Sequence, residues 1–296
     1  MPDTIPILFD TDIGSDIDDA VALAYLLREP RCELLGITTV TGEPLERAKL
    51  ASAVCRAAGQ DSIPIHSGSE LPFLVAQKQP RAPQNAALER WPHRAEFPPN
   101  TAVPFLQEVI RSRPGEVTLL AVGPFTNVGV LFAMDPEIPR LLKRLVVMGG
   151  AYTTRYAGGS RTEWNACGDP HAAARMFQSP VPELTAFGLD VTLQCVLEAE
   201  ECGRRLAGGP LDVVRDMASV WFRERAAITF HDPLAAVALF HPGVCEYEQG
   251  RIEVELASPR VAGMTHWKAG PEGPHRVAVK VQPERFFEQY FRVFQE

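Results

Sequence analysis

Short apolar runs alternate with helical stretches along most of the chain, and this alternation limits the architecture more than any other feature. Residues 5–9 (IPILF) read as a buried strand, and a helix runs from Asp18 to a stop at Pro30. Residues 34–40, rich in β-branched side chains, predict the next strand, and residues 46–58 the next helix. The series continues with strands at 63–65, 117–122, 145–148 and 184–189 and helices at 101–112, 127–134, 170–177 and 233–240. RIEVELAS (251–258) and HRVAVKV (275–281) read as a β-hairpin before a final helix. Residues 70–104 and 151–168 carry no clear period; the first reads as a long loop or small helical insertion. Repeated strand–helix units call for an α/β fold, an open and mostly parallel sheet with helices on both faces. With no linker or internal repeat, residues 1–296 read as one domain.

The acidic balance, a formal net charge of −8, argues against a nucleic acid polymer as partner, because neutralising phosphates takes clustered Lys and Arg. It leaves room for a nucleoside, which has no phosphate. Six cysteines lie scattered without metal-finger spacing, as expected of reduced thiols in the cytoplasm. The first ten residues have acids where a secretory signal has bases, and no apolar stretch is long enough to span a membrane. The expectation is a soluble, cytoplasmic protein.

Directly after the first strand comes FDTDIGSDIDDAVALAYLL (9–27), with Asp10, Asp12, Asp16, Asp18 and Asp19 inside ten positions. At 4 Å and an effective dielectric near 20, each like-charged pair costs about 4 kcal/mol. Helix capping by Asp16 or Asp18 accounts for one or two of these acids. It does not account for Asp10 and Asp12 at a strand end, where ligands of such sheets bind. A hard divalent cation, calcium or magnesium, takes an oxygen-rich set of this kind.

Other segments are individually ordinary. AVGPFTNVGV (121–130) is a strand–helix turn in which Gly123 and Pro124 can direct a carbonyl inward. In FHDPLAAVALF (230–240), Asp232 before Pro233 reads by default as a helix cap, with His231 a packed histidine. In RTEWNACGDPHAA (161–173), the Glu163–Trp164–Asn165 triplet can bind hydroxyls and cover a sugar face, or can anchor a loop on a buried Trp.

Taken in order, Asp10–Gly14 with Asp18-Asp19-Ala20, ITTVTG (37–42), GPFTN (123–127), VVMGG (146–150), EWN (163–165) with DP (169–170), GLDVT (188–192), HDP (231–233) and SPRVAGMT (258–265) resemble the inosine–uridine-type nucleoside hydrolases. The resemblance spans nearly the whole chain. It implies an open Rossmann-like sheet, calcium at the strand carboxyl ends, and hydrolysis of the N-glycosidic bond of ribonucleosides. Carried over, Asp12, Asp19, the Thr126 main-chain carbonyl and Asp232 hold calcium, and Asp12 is also the general base. Asp18, Glu163 and Asn165 grip the ribose, Met148 and Trp164 line its pocket, and Asp10 supports the acids from behind. The partner implied is a small ribonucleoside, and the assembly a homo-oligomer, dimer or tetramer.

Three departures stand out. Two extra residues separate Gly14 from Asp18, so either Asp16 or Asp18 can be the ribose ligand; the Asp19-Ala20 context favours Asp18. Glu43 follows Gly42 where the family has Asn, which puts a carboxylate in place of an amide beside the metal. The middle loop, PQNAALERW (83–91), lacks the His-Gly pair associated with pyrimidine substrates. The chemistry suits the residue types: an oxocarbenium-like sugar is stabilised by carboxylates and hydroxyl contacts. His231, titrating near neutral pH, is the natural proton donor to the departing base. Two other classes are weaker fits. A haloacid-dehalogenase-type magnesium phosphatase wants Gly-Thr where Ile13-Gly14-Ser15 stands. A non-catalytic calcium or sugar-binding module of EF-hand type wants Glu where Val21 stands.

Overall fold

The computed structural model describes residues 4–153 and 162–295. Its centre is a nine-stranded sheet in the order β10-β9-β11-β6-β5-β4-β1-β2-β3. The strands are β1 (Ile5–Thr11), β2 (Cys32–Thr39), β3 (Ile65–Ser67), β4 (Thr118–Ala121), β5 (Arg144–Met148), β6 (Leu184–Phe187), β9 (Cys245–Val254), β10 (Thr265–Ala269) and β11 (His275–Val281). From β3 across to β11 all neighbours pair in parallel, while β9 and β10 add an antiparallel edge. A separate two-stranded sheet joins β7 (Val196–Glu198) and β8 (Ala227–Thr229).

Period-two alternation divides the core between two faces. Ile7, Phe9, Leu120, Val146 and Met148 pack on one side, with α1 (Asp18–Arg28) and α2 (Pro44–Ala57). Leu8, Leu119, Leu145 and Val147 face the other, beneath α3 (Ala102–Ser112) and α4 (Thr126–Met134). Strands buried on both faces read as continuous apolar runs, which is why they are visible in the sequence. The remaining helices are α5 (Ile138–Leu141), α6 (Trp164–Gly168), α7 (Pro170–Phe177), α8 (Leu189–Thr192), α9 (Ala199–Arg205), α10 (Pro210–Trp221), α11 (His231–Phe240) and α12 (Pro283–Arg292). Helix α11 lies along α1, and α10 on α2. Among the described residues no helix is long and apolar enough to cross a membrane.

The structure amends several expected elements. The strand expected at 63–65 is Ile65–Ser67, and the one expected to 189 ends at Phe187, where Gly188 opens the short helix α8. The hairpin partners β9 and β11 do pair, but β10 intervenes and forms the outer edge, so the unit has three strands. Within 151–168, α6 replaces irregular chain, and residues 154–161 lie outside the described residues. Residues 83–90 of the expected insertion form a 3-10 helix. Strand β1 is flanked by β2 on one side and β4 on the other, so the chain reverses its direction of travel across the sheet there. Such a reversal opens a crevice at the strand carboxyl ends.

Candidate active site

The crevice holds a cavity of about 600 Å³. Asp12 enters it from the end of β1, Val122 from the end of β4 and Met148 from the end of β5. Gly123 lets the β4 loop close on β1: a Cβ there would lie 2.9 Å from the Asp12 amide nitrogen. Asp18 and Asp19 come from the first turn of α1, and His231 and Asp232 from the first turn of α11. Both helices therefore point positive termini at the acids.

The expected capping roles are not what these acids do. Neither Asp16 nor Asp18 caps α1, whose cap position is Ile17. Helix α11 begins one residue before Asp232, which makes no capping hydrogen bond. Asp18 Oδ2 instead accepts from the Asp232 amide at 2.9 Å, tying the two helix starts together. Ligand oxygens of Asp18, Asp19 and Asp232 lie within 4.8 Å of one another, all three residues buried. Asp19 Oδ1 accepts from the Thr11 hydroxyl and from the Asp12 amide at 3.1 Å. Burial, then repulsion among the aspartates, pushes the pKa values of Asp18, Asp19 and Asp232 well above the ordinary carboxylate range. Burial raises Asp12 too, against the pull of the Arg47 charge. An all-oxygen cluster that resists ionising alone fits a hard cation, which relieves both the desolvation and the repulsion.

Asp10 stands behind the cavity wall. Its Oδ1 accepts from Thr38 Oγ1 at 2.5 Å and Asn127 Nδ2 at 2.7 Å, its Oδ2 has no hydrogen-bond partner among the described residues, and burial brings its pKa to about 7. Asp16 lines the cavity, with Oδ1 accepting from the Ile17 amide at 2.6 Å. Thr126 does not line it. Its hydroxyl donates to Asp169 at 2.9 Å, so a metal-ligating Thr126 carbonyl rests on the resemblance alone.

Helix α6 builds the opposite wall. Glu163 is its N-cap, accepting from the amides of Asn165 at 2.8 Å and Ala166 at 3.0 Å, and also from Gly150 at 2.9 Å. Burial still lifts its pKa to about 7. Asn165 Nδ2 donates to the carbonyls of Val122 and Met148, and its Oδ1 takes no hydrogen bond from the described residues. Trp164 is 47% exposed at the rim. His231 Nδ1 pairs with Thr192 Oγ1 at 2.7 Å, and burial lowers its pKa to about 4. The expected residue titrating near neutral pH is thus a neutral imidazole at pH 7.

Glu43 does not face the cavity either. In left-handed backbone (φ 58°), it turns away to accept from the Ala82 amide at 2.8 Å and to meet Arg81 at 3.7 Å. Space above Gly42 is taken by the following insertion, since a Cβ there would fall 2.4 Å from Pro80 Cα. That insertion delivers residues the sequence did not single out: Lys78, Gln79, Pro80 and Arg81. Gln79 spans the cavity, its Nε2 donating to Asp12 Oδ2 at 3.0 Å and its Oε1 accepting from Trp164 Nε1. Ser15, Leu189, Trp221 and Arg225 also line the cavity. The only sequence signal for Lys78, Gln79, Pro80 and Arg81 is the Pro-, Gln- and Arg-rich character of the insertion.

Comparison with known proteins places this arrangement. The model of the inosine-uridine preferring nucleoside hydrolase family matches residues 7–288. Uridine nucleosidase 1 of Arabidopsis thaliana is 30% identical over 267 residues, covering 84% of this chain and 78% of the relative. The pyrimidine-specific ribonucleoside hydrolase RihA of Citrobacter koseri is 30% identical over 279 residues, covering 88% and 87%. The solved purine-preferring ribonucleoside hydrolase from Gardnerella vaginalis superposes with a TM-score of 0.84 at 25% identity, covering 97% of both chains. Neither the phosphatase nor the non-catalytic binding module finds support among these relatives. The chain belongs to the inosine-uridine preferring nucleoside hydrolase family, and it is a hydrolase of the N-glycosidic bond of ribonucleosides.

Proposed function

We propose that this chain cleaves ribonucleosides in the cavity between β1, β4, α6 and α11 with the help of one calcium ion. The observation that carries the reading is the convergence of Asp18, Asp19 and Asp232 within 4.8 Å beside Asp12. Asp12, Asp19, Asp232 and the Thr126 carbonyl are the proposed ligands. When bound, the cation supplies a position at which the pKa of water is depressed. Asp12 takes the proton of the attacking water, its carboxylate held in orientation by Gln79.

Asp18 and the Oδ1 of Asn165 face the cavity as acceptors for ribose hydroxyls. Glu163 has lone pairs left beyond its three amide contacts and joins them. Met148 and Trp164 cover the sugar. These contacts strengthen as positive charge develops on the ring, which is what lowers the barrier. His231 offers a ring N–H to the departing base while Thr192 engages the other nitrogen. Asp10 holds the β1 end through Thr38 and Asn127.

A ribonucleoside panel (inosine, guanosine, uridine, cytidine) assayed for free ribose, with and without chelator, tests the reading. Release of ribose that is lost on chelation and restored by calcium is expected. Chelator-resistant turnover would overturn the metal assignment. We further infer a homo-oligomer, dimer or tetramer, from family membership; light scattering distinguishes the two.

A further inference from the structure

Among the described residues, Arg47 is the largest fully buried side chain. Buried guanidinium groups are normally matched by a carboxylate. Here Asp12, Asp19 and Glu43 offset the charge from nearby, but the donated hydrogen bonds go to main chain and one hydroxyl. Nε donates to the Gly42 carbonyl at 2.7 Å, and Nη1 to the carbonyls of Asp12 and Ile13, the latter at 3.1 Å. Nη1 also donates to Ser15 Oγ at 3.0 Å, and Nη2 to the Arg81 carbonyl at 3.1 Å. One side chain thus joins three segments: the aspartate loop after β1, the turn after β2, and the rim insertion that carries Gln79. Ser15 completes the knot, its Oγ donating to the same Arg81 carbonyl at 3.2 Å.

The aspartate loop places three residues, Ser15 to Ile17, between Gly14 and Asp18, two more than the family motif it resembles. A longer loop has more conformations to lose before its carboxylates face one ion. A planar fork whose Nη1 takes the carbonyls of Asp12 and Ile13 while Nε and Nη2 hold those of Gly42 and Arg81 removes that freedom, and a lysine, with one nitrogen, cannot hold all three segments at once. We propose that Arg47 is a positioning residue for the metal site: its guanidinium holds the main chain at Asp12–Ser15 so that the carboxylates converge without metal already in place. This inference rests on the calcium site proposed above.

Calorimetric titration of calcium into chelator-stripped protein tests it, with circular dichroism establishing that each variant is folded. Arg47→Lys keeps the charge and loses the fork; a calcium affinity at least about tenfold weaker is expected, in the range of outer-sphere metal-site changes. Ser15→Ala, a milder change, is expected to weaken calcium in the same direction by less, and it decides the matter if Arg47→Lys does not fold. Arg175→Lys serves as control, because Arg175 donates to the Phe132 carbonyl at 2.5 Å away from the cavity. It should lower the melting temperature and leave calcium affinity unchanged. Wild-type calcium affinity in folded Arg47→Lys, or in Ser15→Ala where the former is unfolded, would overturn the clamp alone. Absence of calcium binding by the wild-type protein would overturn the metal reading and the clamp with it.

Discussion

Asp232 illustrates how one side chain can be read two ways until its neighbours are known. Before Pro233 it looks like a helix cap; in the structure its amide binds Asp18 and its carboxylate joins a cluster drawn from two helices. Removing the charge from such a group removes a ligand while leaving the shape, so Asp232→Asn and Asp19→Asn should lose calcium and ribose release together. A fall in calcium affinity of more than about 100-fold is expected, beyond what outer-sphere changes cost; retention of tight calcium with lost activity would count against the ligand assignment. His231 offers a sharper test. Its ring is neutral at pH 7, with a pKa of about 4, so it acts as a hydrogen-bond donor to the leaving base. His231→Ala should slow ordinary nucleosides by about 10²-fold, the usual loss for one donor at a developing charge. p-Nitrophenyl riboside, whose phenolate leaves unaided, should be nearly spared. The wild-type kcat profile should also show no histidine inflection near pH 6.5. Parallel losses on both substrates would mean that His231 only packs beside Asp232.

Whole elements set which parts of this site were legible beforehand. The ends of β1, β4 and β5 are readable because their apolar runs are buried on both faces of the sheet, and the Asp, Gly or Pro residues just past them stand out. Glu163 and Asn165 were readable as a triplet with Trp164, but not their division of labour. Glu163 caps helix α6, and Asn165 spends its amide hydrogens on two strand-end carbonyls. Gln79 and Arg81 were illegible, since they sit in an insertion with no periodicity, held by contacts to Thr41, Glu43, Arg47 and Cys167 that no local pattern announces. Trp221 and Arg225 belong to a stretch around α10 in which no sequence motif points to the cavity. The roles within α6 give a prediction at this scale. Asn165→Ala should weaken ribose-mimicking inhibitors about fivefold, the cost of about one hydrogen bond between neutral groups, and leave binding of free bases unchanged. Equal loss for both ligands would show that the change had only let the wall of the cavity collapse.

At the scale of the whole molecule, the buried acids make stability depend on pH in a direction opposite to the common one. Asp10 and Glu163 have folded-state pKa values of about 7 and Asp16 of about 6, against 3.8 or 4.5 for the free groups, and Asp18, Asp19 and Asp232 shift the same way. Between those limits the metal-free native state binds more protons than the unfolded chain. The stability these groups contribute is therefore present in full below about pH 4 and is lost as pH rises through 7. His231 works the other way, its depressed pKa costing stability as pH falls from 6.5 through 4, and burial lowers His66, His241 and His275 in the same direction; within the site, however, His231 stands against seven raised carboxylates, Asp12 included. Calcium requires the same carboxylates ionised, so its affinity rises over the interval in which the metal-free protein weakens. A ligand present at 100 times its Kd adds about 2.7 kcal/mol to stability. The melting temperature of chelator-treated protein should accordingly fall from pH 5 to pH 8. That of the calcium-saturated protein should fall less or rise, so that the gap between them widens to several degrees. Parallel curves with and without calcium would mean that the acids ionise independently of the metal, and that the crowding at the end of β1 is relieved by something other than a cation.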